Sequence, residues 1–218
     1  MIFIFPAICF KISAKVYFCM NTLLKTYAAM LQEARPVSYS RTTITELMMP
    51  HHANFEGRVH AGVLLSLMDQ VAFTCASRHA GNYCVTASIE EVEFMYPVKV
   101  GELVIVRASV NYVGQNSLIV GVRVDSQDIR TGETQHTNTS YFHMVAKDEH
   151  GKVTSVPPLL LEEPEDVRRF FEGQMRKDAR IAMRAKIKKD IEGYDFYRAL
   201  ERVQRARCSI GFDINAIE

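Results

Sequence analysis

The chain predicts an α+β domain in which one buried helix is followed by a run of long antiparallel strands that curve around it. Three observations in its 218 residues carry this expectation. Between His60 and about Arg78, Leu64, Leu65, Met68, Val71, Ala72 and Cys75 recur at three-four spacing, and apolar residues cover most of that helix's surface. Four β-rich segments follow, over 83–94, 102–113, 117–128 and 133–147. Each boundary carries turn chemistry: Gly81-Asn82, Pro97 with Gly101, Gly114-Gln115-Asn116, and Arg130-Thr131-Gly132. Strands joined by short links pair antiparallel, and a helix that precedes them buries its apolar surface against the sheet they form.

The other elements follow in order. Residues 1–20 are mostly apolar and aromatic, interrupted by Lys11 and Lys15. Their longest uncharged run, 1–10, is too short to cross a bilayer, and they lack the basic start and small-residue cleavage site of a signal peptide. Three readings stand: an N-terminal extension, an upstream start with initiation at Met20, or a membrane-associating tail. Residues 21–35 contain no Gly or Pro and read as a short helix capped by Asn21 or Thr22, which Pro36 ends. Residues 37–48 read as a strand, on the β-branched run Thr42-Thr43-Ile44-Thr45, and 50–59 as a loop. Pro157, Pro158 and Pro164 close the sheet region. Residues 165–189 and 194–207 read as charged helices. The layout is therefore 1–36 as N-terminal extension and short helix, 37–158 as the sheet domain, and 159–218 as a charged helical extension. From 168 to 189 nine Lys and Arg stand against Glu172 and Asp178. That face is either solvated or a basic edge that meets a phosphorylated ligand.

Composition narrows the classes. The chain is 48% hydrophobic and 23% charged with a net charge of +1, ordinary for a globular protein and without the basic excess that marks a nucleic-acid binder. The five cysteines form no CxxC pair and no metal-ligand spacing, which fits free thiols in a reducing compartment. His51 and His52 have no third ligand at useful spacing, so no metal is expected.

The stretch from Asn54 to Gly62 holds two glycines and opens directly into the buried helix, which carries one carboxylate, Asp69, among apolar neighbours. A charge there is costly unless paired or used. A glycine at a helix start lets a ligand reach unpaired backbone N–H groups. A polar atom held at a helix N-terminus and an acid on the same helix are the parts of a reactive site.

These residues match a known family. The run from Met49 to Asp69 resembles the asparagine-containing loop and central helix of hotdog-fold acyl-CoA thioesterases. So do Val85-Thr86-Ala87-Ser88 with Phe94, the run Pro97 to Glu102, the run Val113 to Ser117, and Tyr141-Phe142 through Val145-Ala146. The likeness covers about 37–158 and is greatest to cytosolic acyl-CoA hydrolases, whose members often carry a charged C-terminal helix. It implies a long central helix wrapped by an antiparallel sheet, pairing edge to edge into a homodimer, further assembly to a tetramer or hexamer, and an acyl-CoA at the dimer seam. It also implies a cytoplasmic enzyme that hydrolyses fatty acyl-CoA to free fatty acid and CoA without a cofactor, a membrane or a nucleic acid.

Residue roles carry over position by position. Asp69 matches the catalytic acid, as general base or as a nucleophile that forms an anhydride; a carboxylate that merely bonds Ser66 is the structural alternative. Asn54 matches the asparagine that acts opposite the acid across the subunit seam. Gly62 matches the glycine at the helix start, whose N–H can serve as an oxyanion donor. His60 departs from the commonest pattern and either polarises the carbonyl or caps the helix. Gly114, Asn116 and Ser117 match the segment lining the CoA region, and Thr86 is a candidate for orienting the acid or water. Arg58, Arg107 and the basic C-terminal helix are open as partners for the CoA phosphates. Met68, Val71, Phe73, Phe94 and Met95 line an acyl tunnel or are plain core. Two rival functions stay in view, a hotdog 2-enoyl-CoA hydratase and a non-catalytic acyl-CoA-binding sensor.

Overall fold

The computed structural model describes residues 33–212. The apolar segment 1–20 and nearly all of the short helix expected over 21–35 lie outside the described residues. Two compact units divide the chain, one ending at Gly173 and one beginning at Gln174.

In the first unit the elements run β1 (Arg35–Pro36), α1 (Val37–Ser40), β2 (Thr42–Leu47), a 3-10 turn (Pro50–His52), α2 (Ala61–Ala80), β3 (Tyr83–Ile89), β4 (Glu102–Val113), β5 (Ser117–Asp128), β6 (Thr134–Lys147) and β7 (Leu159–Leu160). Five strands form one antiparallel sheet in the order β2-β4-β5-β6-β3. The central helix α2 contacts all five. Five strands laid flat span about 19 Å, and a helix with its side chains is about 10 Å across, so the sheet must curl to meet it everywhere. This is the helix-in-sheet arrangement that the sequence predicts.

The curl is built from alternation. On β4 and β5 the even-numbered Val104, Val106, Val110, Leu118, Val120, Val122 and Val124 are buried and join one core with Met68, Val71, Ala72 and Cys75 of α2. Phe142 and Met144 of β6 complete it, both fully buried. Phe142 is the bulkiest of these side chains. Phe142→Ala should lower stability by about 3–5 kcal/mol in urea unfolding, from lost transfer energy plus the cavity left behind.

The C-terminal end of α2 is closed by Gly81 at φ 71°, in the left-handed region, with its N–H donating to the Ser77 carbonyl at 2.8 Å. Arg35 donates to the His79 carbonyl at 2.7 Å, supplying a cation to the same helix end. His79 is fully buried, burial being the main cause that pushes its pKa down. The neutral ring's Nε2–H donates to the Pro157 carbonyl at 3.1 Å, pinning the chain after the sheet onto the helix.

Three expectations change. The strand over 37–48 is split: Val37–Ser40 forms a helical turn because Val37 and Ser40 bury themselves, and the strand begins at Thr42. The strand over 83–94 stops at Ile89, since β3 is an edge strand whose sole sheet partner among the described residues is β6, with a register shift between Thr86 and Ser88. Beyond it the Glu90 and Met95 N–H groups still donate to the Tyr141 and Thr137 carbonyls at 2.9 and 3.1 Å. A short parallel pair, β1 with β7, arises where the chain returns after the sheet.

The long helix α3 (Pro164–Glu192) starts in the first unit. Its first turns cover the sheet face opposite α2: the Phe170 ring lies 4.9 Å from Tyr112, and the Tyr141 hydroxyl donates to Glu172 at 2.7 Å. A Cβ on Gly173 would stand 2.6 Å from the Tyr112 Cβ, so that crossing requires glycine. The second unit holds the rest of α3 and α4 (Phe196–Gln204), which Asp195 caps by accepting the Arg198 N–H at 2.7 Å. No helix among the described residues is long and apolar enough to cross a membrane.

Candidate active site

The site is assembled where α2 meets the edge strand β3. Asp69 is half-buried rather than sealed in the core, because β3 leaves that side of the helix open. The Thr86 hydroxyl donates to Asp69 Oδ1 at 2.6 Å and lies 3.4 Å from the Met144 sulfur. A hydroxyl-to-carboxylate bond of that length is a strong, charge-assisted one. It fixes the carboxyl's rotation. Ser66, the alternative partner, instead accepts from Gln70 Nε2 at 3.3 Å.

At the N-terminal end of α2, His60 is the cap. Its Nδ1 accepts the Gly62 N–H at 2.9 Å, so that nitrogen carries no proton. The Gly62 N–H, expected as an oxyanion donor, is bonded to His60 in this conformation. A Cβ on Gly62 would meet Nδ1 at 2.9 Å, so the glycine serves the cap sterically. The Ala61 N–H, one residue earlier, has no acceptor among the described residues and stands at the positive end of the helix dipole. Sequence reasoning passed over Ala61 because only glycines signal close backbone approach.

Asn54 organises the preceding loop. Its Oδ1 accepts from the Glu56 and Arg58 N–H groups at 3.0 and 3.1 Å, and its carbonyl accepts from Gly57, which sits at φ 75°. With the oxygen so occupied, the side-chain NH₂ is the group left to donate outward. Within one chain the structure brings Asp69 and Thr86 together, and records no hydrogen bond between Asn54 and Asp69. Eight residues separate Ala61 from Asp69, about 12 Å along the helix axis.

Gly114, Asn116 and Ser117 form the β4–β5 hairpin, with the Gly114 N–H donating to the Ser117 carbonyl at 2.7 Å. Gly114 lines a groove of about 700 Å³ together with Val156, Pro157 and Phe170; Asn116 and Ser117 do not line it. Met68 and Val71 are sealed core, whereas Phe94 and Met95 are exposed beside β3. His52 Nδ1 accepts the Met49 N–H at 3.2 Å, and no cluster suited to a metal stands among the described residues.

A helix wrapped by a curled sheet, with an acid and a hydroxyl at its open seam, defines a hotdog thioester-handling domain, and the comparisons agree. Residues 56–133 match the model of the thioesterase superfamily. VdlD of Helicobacter pylori is 41% identical over 141 residues, 65% of this chain and 80% of that protein. A hexameric acyl-CoA thioesterase, solved without ligand, superposes with a TM-score of 0.68 at 35% identity, over 70% of this chain and 98% of that one. The acyl-CoA hydrolase of Staphylococcus aureus, solved with butyryl coenzyme A, coenzyme A and coenzyme A disulfide, superposes at 0.67 with 29% identity, over 73% and 97%. Further structures of that hydrolase replace an asparagine, an aspartate and a threonine by alanine. Those three positions are fifteen and seventeen residues apart, as Asn54, Asp69 and Thr86 are here. The chain belongs to the thioesterase superfamily, as an acyl-CoA thioester hydrolase.

Proposed function

We propose that the chain hydrolyses acyl-CoA at a site in which Asp69 activates water or attacks directly, Thr86 holds Asp69, and Asn54 with the Ala61 N–H steadies the thioester oxygen. The Asp69–Thr86 bond carries this reading: it orients a solvent-accessible carboxylate on an otherwise apolar helix face. The matching asparagine–aspartate–threonine spacing supports it. The overall reaction is a transfer of the acyl group from sulfur to water. It moves no electrons between redox centres, and Asp69 supplies the base.

Asn54 lies in the loop before α2 and the Ala61 N–H at its first residue, while Asp69 lies two turns further on. We infer that a second copy joins along the exposed β3 edge with one copy's Asn54 facing the other's Asp69, the arrangement the family resemblance implies. An edge strand without a second sheet partner among the described residues, flanked by the exposed Ile89, Phe94, Met95 and Tyr96, is suited to such pairing. The working form is therefore a homodimer of hotdog units, assembled to a tetramer or hexamer, with hexameric relatives favouring the latter. The buried free thiols of Cys75 and Cys84 fit a cytoplasmic setting, and the substrate is a fatty acyl-CoA.

Incubation with a saturated acyl-CoA series and a thiol reagent tests the function: CoA should be released with a chain-length optimum. A hydratase releases no thiol, and a sensor binds without release. Thr86→Val should lower kcat/KM about tenfold to a hundredfold by removing one charge-assisted bond to the reacting acid, and Thr86→Ser should restore most of it. Unchanged kinetics in the valine variant would remove Thr86 from the machinery.

A further inference from the structure

The sheet face turned away from α2 carries a second constellation. Arg107 on β4 and Arg123 on β5 stand directly opposite in register. Like charges so placed repel, and one carboxylate holds both. Asp125, 3% exposed, accepts from Arg107 at Oδ2 and from Arg123 Nε at 3.0 Å, and His136 Nδ1 lies 3.1 Å from its Oδ1. Burial alone would raise the Asp125 pKa; hydrogen bonds from Arg123 and His136 and the charges of Arg123 and Arg107 outweigh it, so the carboxyl is held below its ordinary range. The two guanidinium groups, gripped from behind, remain half exposed at 49% and 56%.

The first turns of α3 bring Arg168 and Arg169 to the same place, and the segment before β2 brings Arg41. Glu165 holds Arg168 and Arg169 at 2.6 and 3.0 Å, and Glu172 accepts from Arg168 at 3.0 Å. Arg41 lies 3.5 Å from the buried Asp166. All five arginines line one groove of about 380 Å³, within the size range of small-ligand sites. Gly121 at its floor admits the Asn111 amide, whose Nδ2 would stand 2.5 Å from any Cβ there. Against five guanidinium groups stand Asp125, Glu165, Asp166 and Glu172, so the groove keeps one surplus positive charge.

We propose that this groove binds a compact phosphate-bearing anion, clamped between Arg107 and Arg123 of the sheet and Arg168 and Arg169 of the helix. Planar guanidinium forks held at two levels suit tetrahedral phosphate oxygens. The site is distinct from Asp69 and Thr86, which lie on the other face of the sheet. The phosphate belongs either to a free anion or to CoA itself, and the experiment separates the two.

Calorimetric titration of the full chain with inorganic pyrophosphate, ionic strength matched with chloride, should show saturable binding of one anion per chain. Arg123→Gln and Arg169→Gln should each weaken it about tenfold, the loss of one charge-assisted contact. Asp69→Asn should bind as the parent does. Competition by free CoA assigns the phosphate to CoA, and independence from CoA assigns it to a separate anion. Should Arg123→Gln fail to fold once Asp125 loses a partner, Arg169→Gln decides alone. Absence of saturable heat, or equal binding by parent and Arg169→Gln, would overturn the proposal and leave these ion pairs as a staple between helix and sheet.

Discussion

Asp69→Asn should reduce CoA release by about three orders of magnitude while the protein stays folded, the scale expected when a positioned general base is lost. The two halves of this expectation have separate grounds. The fold tolerates the change because Asp69 is half-buried and its recorded protein partner is the Thr86 hydroxyl, from which an asparagine carbonyl also accepts a hydrogen bond. The chemistry does not tolerate it, because an amide neither takes a proton from water nor attacks a thioester. Circular dichroism and acyl-CoA binding should therefore match the parent while the thiol-release rate collapses. A single turnover in heavy-oxygen water separates the two roles of the acid. An anhydride that water opens at the Asp69 carbonyl hands Asp69's own light oxygen to the first product, whereas a general base places the heavy label there at once. Near-normal turnover by the asparagine variant would take the reaction away from this carboxylate altogether.

The parts of this site were unequally legible in the amino-acid sequence. The central helix and the strands follow from periodicity alone, since Leu64, Met68, Val71 and Cys75 repeat every three to four residues and Val104 to Val110 alternate. Asp69 stands out because a charge on an apolar helix face requires a reason. What was hidden depends on long-range contact. Thr86 enters as a candidate through the family resemblance, since nothing local announces that a residue seventeen positions further on folds back to bond Asp69 at 2.6 Å. Nor does His60 before a glycine disclose that the ring will occupy the Gly62 N–H and leave Ala61 as the open donor. Strand ends fail for a related reason. Residues 90–94 have strand-like composition, but an edge strand beyond a register shift has too few partners to continue as a ladder. Likewise, the opposition of Arg107 and Arg123 is a property of register, which no single segment encodes.

Mixing two dead variants should revive the enzyme. The expectation follows from the distribution of parts: Asn54 lies in the loop before α2 and the Ala61 N–H at the helix start, while Asp69 lies about 12 Å along the axis from Ala61 and bonds Thr86. If each site takes its acid from one copy and its amide from the next, Asn54→Ala and Asp69→Asn proteins fail separately for different reasons. Dissociated together and reassembled, they form mixed dimers in which one of the two sites inherits an intact Asn54 and an intact Asp69, and the other inherits both lesions. Random reassortment makes half the dimers mixed, so activity should recover to about a quarter of the parent value. Simple mixing without subunit exchange should recover nothing, which controls for contamination. A double variant carrying both changes on one chain, reassembled with parent, should likewise give mixed dimers whose two sites each carry a single lesion. That pairing lowers activity further than dilution with an inert protein would. Failure to revive after proven exchange would mean that asparagine and acid act within a single copy, and that the exposed β3 edge serves assembly without completing the site.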